Sequence, residues 1–168
     1  MDTNVILARF APDDPLRFAA KKFFDSKVDR IVSPISLLET SAVLSRGIAR
    51  FDIPDILARE TEARRALALS EYFVVYLGLR IESVSVTSKM RVGGSTLSLP
   101  MEYSEALKKA GELKLRALDL LHLAYAGLIS SLKIRIDRFV TSDSGILDRG
   151  GVIAAQFGFR VVHPEKAV

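Results

Sequence analysis

The chain has 168 residues and a net charge of +4, with 49% hydrophobic and 26% charged residues. This composition is typical of a soluble globular protein, and we expect residues 1–168 to form a single domain. The absence of cysteine excludes disulfides, zinc thiolate sites and cysteine nucleophiles. Because there are only two histidines, a metal would rely on oxygen ligands, which favour Mg²⁺, Mn²⁺ or Ca²⁺.

The positive charge is small and scattered, so it is compatible with an RNA partner and equally with solvated helix faces. No signal peptide is visible, and the apolar stretch 115–132 is shorter than the roughly 20 residues of a membrane span. We therefore expect a cytoplasmic protein without membrane contact. Asn4 is the only asparagine and Gln156 the only glutamine, and depletion of these thermolabile amides favours a thermophilic source.

The residue pattern in the first half of the chain predicts mainly helices. The first helix is expected over residues 14–26, with its phenylalanines, Phe18 among them, facing the core. A short buried strand over 30–33 follows. Ser33-Pro34 then begins a helix that ends at Gly47, because serine suits the N-cap and proline the first helical position. Asp52-Ile53-Pro54 begins a further helical stretch, which is expected to continue to about Leu77.

The second half begins with a change of pattern. Over residues 81–99 apolar residues alternate with serines, and Gly93-Gly94 lies between the two alternating segments, which predicts a β-hairpin. The elements expected after it are helices over 101–113 and 117–132, a strand over 139–140, a short helix, and a strand over 159–162. Strands that alternate with helices imply a central parallel sheet covered by helices on both faces.

Four carboxylates, of Asp2, Glu39, Asp119 and Asp143, stand at unusual positions. Glu39 and Asp119 share a helix face with apolar residues at i+3 or i+4. Asp2 and Asp143 lie where strands are expected to end, and open parallel sheets bind ligands there. Like charges about 4 Å apart repel by roughly 4 kcal/mol at an effective dielectric near 20, so converging acids need a cation or raised pKa values. A divalent metal is the simplest compensation.

Each acid also has an ordinary explanation when it is taken alone. Asp2 can be an acid at the chain start, and Asp143 can form an Asx turn. Glu39 can pair with a neighbouring arginine, and Asp119 can cap its helix. Only the joint occurrence of all four at this spacing favours a metal cluster.

Four segments resemble the motifs of the PIN domain family and occur in the family's order. Met1-Asp2-Thr3-Asn4 resembles the opening motif, and residues 33–39, which end at Glu39, resemble the helix that carries the family's glutamate. Residues 118–126, which begin Leu118-Asp119, are similar to the third motif, and residues 139–143, which end Thr141-Ser142-Asp143, resemble the fourth. Length and spacing further resemble the VapC-type toxins of toxin–antitoxin pairs.

The resemblance implies a three-layer α/β/α sandwich with a central, mostly parallel sheet of about five strands. It also implies RNA cleavage supported by Mg²⁺ or Mn²⁺, a small antitoxin as partner, and a homodimer. The implied metal ligands are Asp2, Glu39, Asp119 and Asp143, of which Asp143 matches the most variable position. The groups implied to orient carboxylates or water are Asn4, Thr141 and Ser142. His122 is interpreted as a packing residue.

The sequence departs from the family pattern in two places. Only Met1 precedes Asp2, where the family has a strand of about four residues, so either the start codon lies upstream or the first strand is very short. The segment 81–99 is longer than the common pattern. It is a candidate dimerisation arm, antitoxin contact or substrate-guiding flap, and equally a surface decoration.

Other interpretations of the acids fit less well. A receiver-like phosphoacceptor domain needs an acid pair near the phosphoaspartate and a late lysine, and that set cannot be placed in this sequence. A haloacid-dehalogenase-like phosphatase needs Asp-x-Asp, where this chain has Asp2-Thr3-Asn4. A PIN fold that binds RNA or acts as a scaffold without catalysis stays open as the alternative function.

Overall fold

The computed structural model describes the backbone of residues 1–168 and every side chain except those of Glu62 and Ala63. Helices and strands are mixed along the chain, so the fold is of the α/β class. The residues group into two compact units. The first unit consists of Met1–Glu82, Val140–Asp143 and Val162–Val168, and the second of Ser83–Phe139 and Ser144–Val161.

Most helices of the first unit precede residue 82. Its helices and strands are α1 (Thr3–Phe10), α2 (Arg17–Asp25), β1 (Ile31–Val32), α3 (Pro34–Gly47), α4 (Glu62–Tyr76) and β2 (Arg80–Ile81). Its short 3₁₀ helices are Ile48–Arg50, Asp55–Leu57 and Pro164–Lys166. Strands β1 and β2 pair in parallel, with Ile31 opposite Arg80 and Val32 opposite Ile81.

The second unit contains a hairpin and four helices. Its elements are β3 (Thr87–Val92), β4 (Ser95–Pro100), α5 (Met101–Leu113), α6 (Ala117–Leu132), α7 (Ser144–Leu147) and α8 (Gly150–Phe157). Two further strands, β5 (Arg138–Val140) and β6 (Arg160–Val162), pair with each other, and the last residue of each belongs to the first unit. Among the described residues no single helix is long and apolar enough to cross a membrane, although α5 and α6 together, bent by 119°, meet the length and composition criteria.

The predicted start of α3 is confirmed. The hydroxyl oxygen of Ser33 accepts a hydrogen bond from the main-chain N–H of Ser36 at 3.4 Å, and Pro34 occupies the first turn. This bond satisfies one of the N–H groups that a helix start leaves without an intrahelical partner. Helices α5 and α6 also have the predicted bounds.

Two predictions for the first half were wrong. Phe18 is 80% exposed, because it lies five residues before the buried Phe23, and five residues rotate the side chain by roughly 140° around a helix. The stretch from residue 52 to 77 is not one helix. A 3₁₀ turn at Asp55–Leu57 is followed by Thr61 in an extended conformation, and α4 begins only at Glu62.

The segment Met1–Asp2 is hydrogen-bonded to two strands. The amino group of Met1 donates to the carbonyl of Ile31 in β1 at 3.2 Å. The main-chain N–H of Asp2 donates to the carbonyl of Val140 in β5 at 2.9 Å. Asp2 itself has an extended conformation and directly precedes α1. The short segment therefore links β1 to β5 within the first unit and carries Asp2 at its end.

Helix α1 is fixed by an aromatic contact in the core of the first unit. The rings of Phe10 on α1 and Phe73 on α4 stack with centroids 3.7 Å apart, and both side chains are buried. Burying a side chain of this size contributes about 1.5–3 kcal/mol. The same helix begins next to Asp2, so this packing restrains the position of that carboxylate.

The predicted hairpin is present at a slightly later position. Its strands are β3 and β4, whereas Arg80–Ile81 pairs with β1 instead. The turn is Gly93-Gly94, with φ of +54° and +86°. Both angles lie in the left-handed region, which a two-residue turn of this kind requires and which glycine adopts without strain.

Two helical glycines of the second unit should respond oppositely to alanine. A Cβ on Gly127 in α6 would lie 2.5 Å from a ring carbon of Phe157, whereas a Cβ on Gly111 in α5 meets nothing within 4 Å. We expect Gly111→Ala to stabilise the protein by about 0.5–1 kcal/mol. Overpacking costs about 1–3 kcal/mol, so Gly127→Ala should be destabilising relative to Gly111→Ala. Urea unfolding of both variants measures the difference, and equal midpoints would contradict the expected clash.

Candidate metal centre

Asp2 is a buried acid whose carboxylate has a defined partner. Its side chain is 6% exposed and makes no capping hydrogen bond to α1. The hydroxyl of Thr141 donates to Asp2 Oδ2 at 2.6 Å. Burying a carboxylate is costly unless hydrogen bonds or a cation compensate the charge, and the Thr141 hydroxyl supplies part of that compensation.

Thr141 connects Asp2 to Asp143. The side chain of Thr141 is fully buried, and its hydroxyl oxygen accepts a hydrogen bond from the main-chain N–H of Asp143 at 3.0 Å. The main-chain N–H of Thr141 donates to the carbonyl of Val162 in β6 at 3.1 Å. A hydroxyl that accepts one bond has its proton available for another, and here that proton is directed at Asp2.

Glu39 places a second carboxylate close to Asp2. It lies in the middle of α3, half-buried beside Thr40, which faces the core. A carboxylate oxygen of Glu39 and one of Asp2 lie within 4.8 Å of each other. Two carboxylates at this distance repel each other, and a cation between them removes the repulsion. The pair therefore fits a divalent metal ion that prefers oxygen ligands.

Two polar atoms next to Asp2 lack partners. The hydroxyl of Thr3 and the side-chain oxygen Oδ1 of Asn4 are buried, and neither has a hydrogen bond within the part of the chain that the structure describes. Buried polar atoms without partners are uncommon in folded proteins and need an explanation. An acceptor such as Asn4 Oδ1 is suited to a bound cation or to a water molecule that a cation holds.

The amino group of Met1 adds little positive charge to this region. Burial lowers its pKa to about 6, although the Asp2 carboxylate opposes this shift by stabilising the charged amine. At neutral pH the amine is therefore largely neutral. The amine therefore contributes little positive charge close to Asp2.

Asp119 lies in the second unit, in the first turn of α6. Its carboxylate accepts a hydrogen bond from Arg116 Nε at 2.9 Å; the side chain of Asp119 is 13% exposed and that of Arg116 75%. An arginine therefore compensates the charge of the Asp119 carboxylate in this structure. The spacing i, i+3 on one helix end would have indicated this pair from the sequence.

His122 also lies on α6, three residues after Asp119 and 4% exposed. Residues at i and i+3 share a helix face, so the imidazole and the Asp119 carboxylate project from the same side of this helix. Imidazole is a metal ligand in its own right. The interpretation of His122 as a packing residue stays a prediction.

Within the first unit, only some of the predicted site residues lie close together. Asp2 and Glu39 are close together, and Thr141 contacts Asp2. Asp143 is bonded to Thr141 through its main-chain N–H and does not join the close group of carboxylates among the described residues. Ser142 lies half-buried between Thr141 and Asp143.

The family of the chain follows from comparison with known proteins. The sequence profile of the PIN domain family matches residues 1–151, and the chain belongs to this family. PIN domains are in general nucleases and typically use divalent metals, in agreement with a close pair of carboxylates. No curated protein and no solved structure matches the chain.

Proposed function

We propose that the protein is a metal-dependent endoribonuclease that hydrolyses RNA phosphodiester bonds. The observation that carries the proposal is the close pair of carboxylates, Asp2 and Glu39, in a chain that belongs to the PIN domain family. Membership alone supports nuclease chemistry in general. The pair adds a chemical reason for a divalent cation in this particular chain.

Mg²⁺ or Mn²⁺ is the proposed ion. The ligands in this proposal are Asp2, Glu39, Asp119 and Asp143. All four offer carboxylate oxygens, which suit these hard cations, and the chain has no cysteine that would favour a softer metal. The buried acceptor Asn4 Oδ1 supports a further contact to a bound water.

The mechanism assigns different tasks to the ion and to the protein. When bound, the ion supplies a Lewis acid that polarises a phosphate oxygen and lowers the pKa of a water molecule. Thr141 holds the Asp2 carboxylate in one orientation through its hydroxyl. We expect direct attack by water, because the carboxylate cluster offers no group suited to a covalent intermediate. Lysine and arginine side chains would position the RNA backbone without reading its sequence.

We also propose the complete family fold, a three-layer α/β/α sandwich formed by one domain over residues 1–168. The family profile extends across both compact units, which supports a single domain. The hydrogen bonds of Met1–Asp2 to Ile31 and Val140, together with the pair β1–β2, support a central sheet within the first unit in the order β2, β1, Met1–Asp2, Val140.

The biological role proposed is that of the toxin in a toxin–antitoxin pair. Its support is the resemblance of length and motif spacing to VapC-type toxins, and it carries with it a small antitoxin partner and a homodimer. A genome in which no small protein is encoded beside this gene would contradict the toxin role, without contradicting nuclease activity.

A second candidate is a PIN domain that binds RNA or acts as a scaffold without cleaving it. The observation in its favour is the ion pair of Arg116 with Asp119, since an acid already compensated by arginine needs no metal. The two functions differ in one measurable property, which is cleavage that depends on a divalent ion.

Cleavage of a labelled single-stranded RNA tests the proposal. We expect the wild type to cleave with Mg²⁺ or Mn²⁺ and to stop when EDTA is added. Asp119→Asn should abolish cleavage. Asp137→Asn is the matched control, because Asp137 is also paired with an arginine, Arg135, in the same unit, but is 69% exposed. A folded wild type that never cleaves would favour the non-catalytic candidate, and wild-type rates in Asp119→Asn would remove that residue from the ligand set.

A further inference from the structure

The hairpin of β3 and β4 forms a two-stranded ribbon held firmly at its base. The main-chain N–H of Met101 donates to the carbonyl of Val86 at 2.8 Å, which closes the base of the ribbon. The main-chain N–H of Val84 donates to the hydroxyl of Tyr125, a buried residue of α6, at 3.0 Å. These two bonds fix the base of the ribbon to the body of the second unit.

The two faces of the ribbon differ in chemistry. Side chains alternate between the faces along each strand, and the register sets Met90 opposite Leu97 and Arg91 opposite Thr96. One face is mainly apolar: Met90 and Leu99 on it are half-buried, whereas Val92 and Leu97 are exposed. The other face is exposed throughout, and it consists of Thr87, Lys89, Arg91, Thr96, Ser98 and Pro100.

The exposed face carries cations without counter-charges. Residues 83–101 contain Lys89 and Arg91 and no aspartate or glutamate. Neither cation has a hydrogen bond or ion pair to any residue that the structure describes. Other exposed cations of the same unit do pair with acids: Lys108 pairs with Glu105 at 2.7 Å, and Arg135 pairs with Asp137 at 3.1 Å. The face is therefore a local concentration of uncompensated positive charge.

We propose that this face of the ribbon binds the sugar–phosphate backbone of single-stranded RNA, and this rests on the proposed function because the RNA is the substrate of the nuclease. Lys89 and Arg91 are two residues apart on one strand, so their side chains project side by side, about 6.6 Å apart along it. The hydroxyls of Thr87, Thr96 and Ser98 lie around them as additional hydrogen-bond donors to phosphate and ribose.

The composition of the face favours the RNA backbone over its bases. Recognition of single-stranded bases uses aromatic side chains as stacking surfaces, and residues 83–101 contain none. Cations and hydroxyls bind phosphate irrespective of sequence. The ribbon thus increases affinity for RNA in general and leaves the choice of cleavage site to other residues.

Fluorescence anisotropy with a labelled single-stranded RNA, in EDTA so that no cleavage occurs, tests the proposal. The ribbon variant is Lys89→Ala combined with Arg91→Ala. We expect its dissociation constant to rise about 10-fold at 0.1 M salt, since two exposed charge contacts are lost. The slope of log affinity against log salt should become shallower by about 1.4, corresponding to two fewer phosphate contacts on a single strand. Both side chains are exposed, so the melting temperature should not change.

The matched control is Lys108→Ala combined with Arg135→Ala. It removes the same net charge from the same unit, but takes away cations that already have carboxylate partners. Wild-type affinity in the ribbon variant, an equal loss in both variants, or no RNA binding by the wild type would each overturn the proposal. RNA binding without cleavage in Mn²⁺ would instead count against the nuclease and leave the ribbon result valid.

Discussion

Asp2→Asn is expected to raise the thermal stability of the metal-free protein and to abolish RNA cleavage. Without metal, the carboxylates of Asp2 and Glu39, within 4.8 Å, repel each other in the folded chain. Asparagine has the same shape as aspartate, and its amide oxygen can still accept a hydrogen bond from the Thr141 hydroxyl. Each 1 kcal/mol of repulsion removed should raise the melting temperature by about 2–4 °C for a chain of this length.

With metal the order of stability should reverse. Mn²⁺ should stabilise the wild type by binding the folded state alone, and stabilise Asp2→Asn much less, because one ligand has lost its charge. Cleavage should fall at least about 100-fold, which single-turnover rates would measure. Asp13→Asn, at an exposed acid of the same unit, serves as control. Two results together would contradict a cation site at the carboxylate pair. The variant Asp2→Asn would melt at a lower temperature than the wild type in EDTA, and Mn²⁺ would raise the melting temperatures of both proteins by the same amount.

Thr141→Val is expected to weaken metal binding about 10–100-fold although threonine itself is not a proposed ligand. Valine keeps the shape and removes the hydroxyl that donates to Asp2 at 2.6 Å and accepts from the N–H of Asp143 at 3.0 Å. The Asp2 carboxylate and the main-chain N–H of Asp143 then each lose this hydrogen bond, and the loss of a hydrogen bond from a buried group costs about 1–3 kcal/mol. We therefore expect a lower midpoint of urea unfolding together with the weaker metal affinity.

Thr141→Ser separates these two effects. Serine retains the hydroxyl and loses one methyl group, so it should keep Mn²⁺ affinity near that of the wild type, with a cost in stability of about 1 kcal/mol. Calorimetric titration with Mn²⁺ gives the affinities. Equal affinities of the serine and valine variants would show that the hydroxyl does not orient Asp2.

Helices with strong local signals were predicted accurately. The Ser33-Pro34 start of α3 and the bounds of α5 and α6 follow from capping residues and from periodicity within each segment. The Gly93-Gly94 turn followed from the conformational freedom of glycine. In each of these cases the deciding interactions lie within a few residues of one another.

Predictions failed where nearby signals competed. Asp52-Ile53-Pro54 is suited to a helix start, yet only one 3₁₀ turn forms before the chain becomes extended again at Thr61. Phe18 was assigned to the core by its residue type, although its position on α2 directs it away from Phe23. Hydrophobicity alone does not determine which face of a helix is buried.

The candidate site could be predicted only in part for a related reason. The four acids were recognised from their positions and from the resemblance to a family, but their mutual distances depend on tertiary packing. The carboxylates of Asp2 and Glu39 lie within 4.8 Å of each other. Asp143 instead donates a hydrogen bond from its main-chain N–H to the hydroxyl of Thr141. The pair of Arg116 with Asp119 was missed although both residues lie at one helix end.

The hydrogen bond from Thr141 to Asp2 joins residues 139 positions apart. During translation Thr141 is added 139 residues after Asp2. Until then the Asp2 carboxylate lacks this donor, and the main-chain N–H of Asp2 lacks the carbonyl of Val140 as its acceptor. A nascent chain consequently lacks an assembled centre until Thr141 has been added, and in the proposed nuclease RNA cleavage would begin only after that point of synthesis.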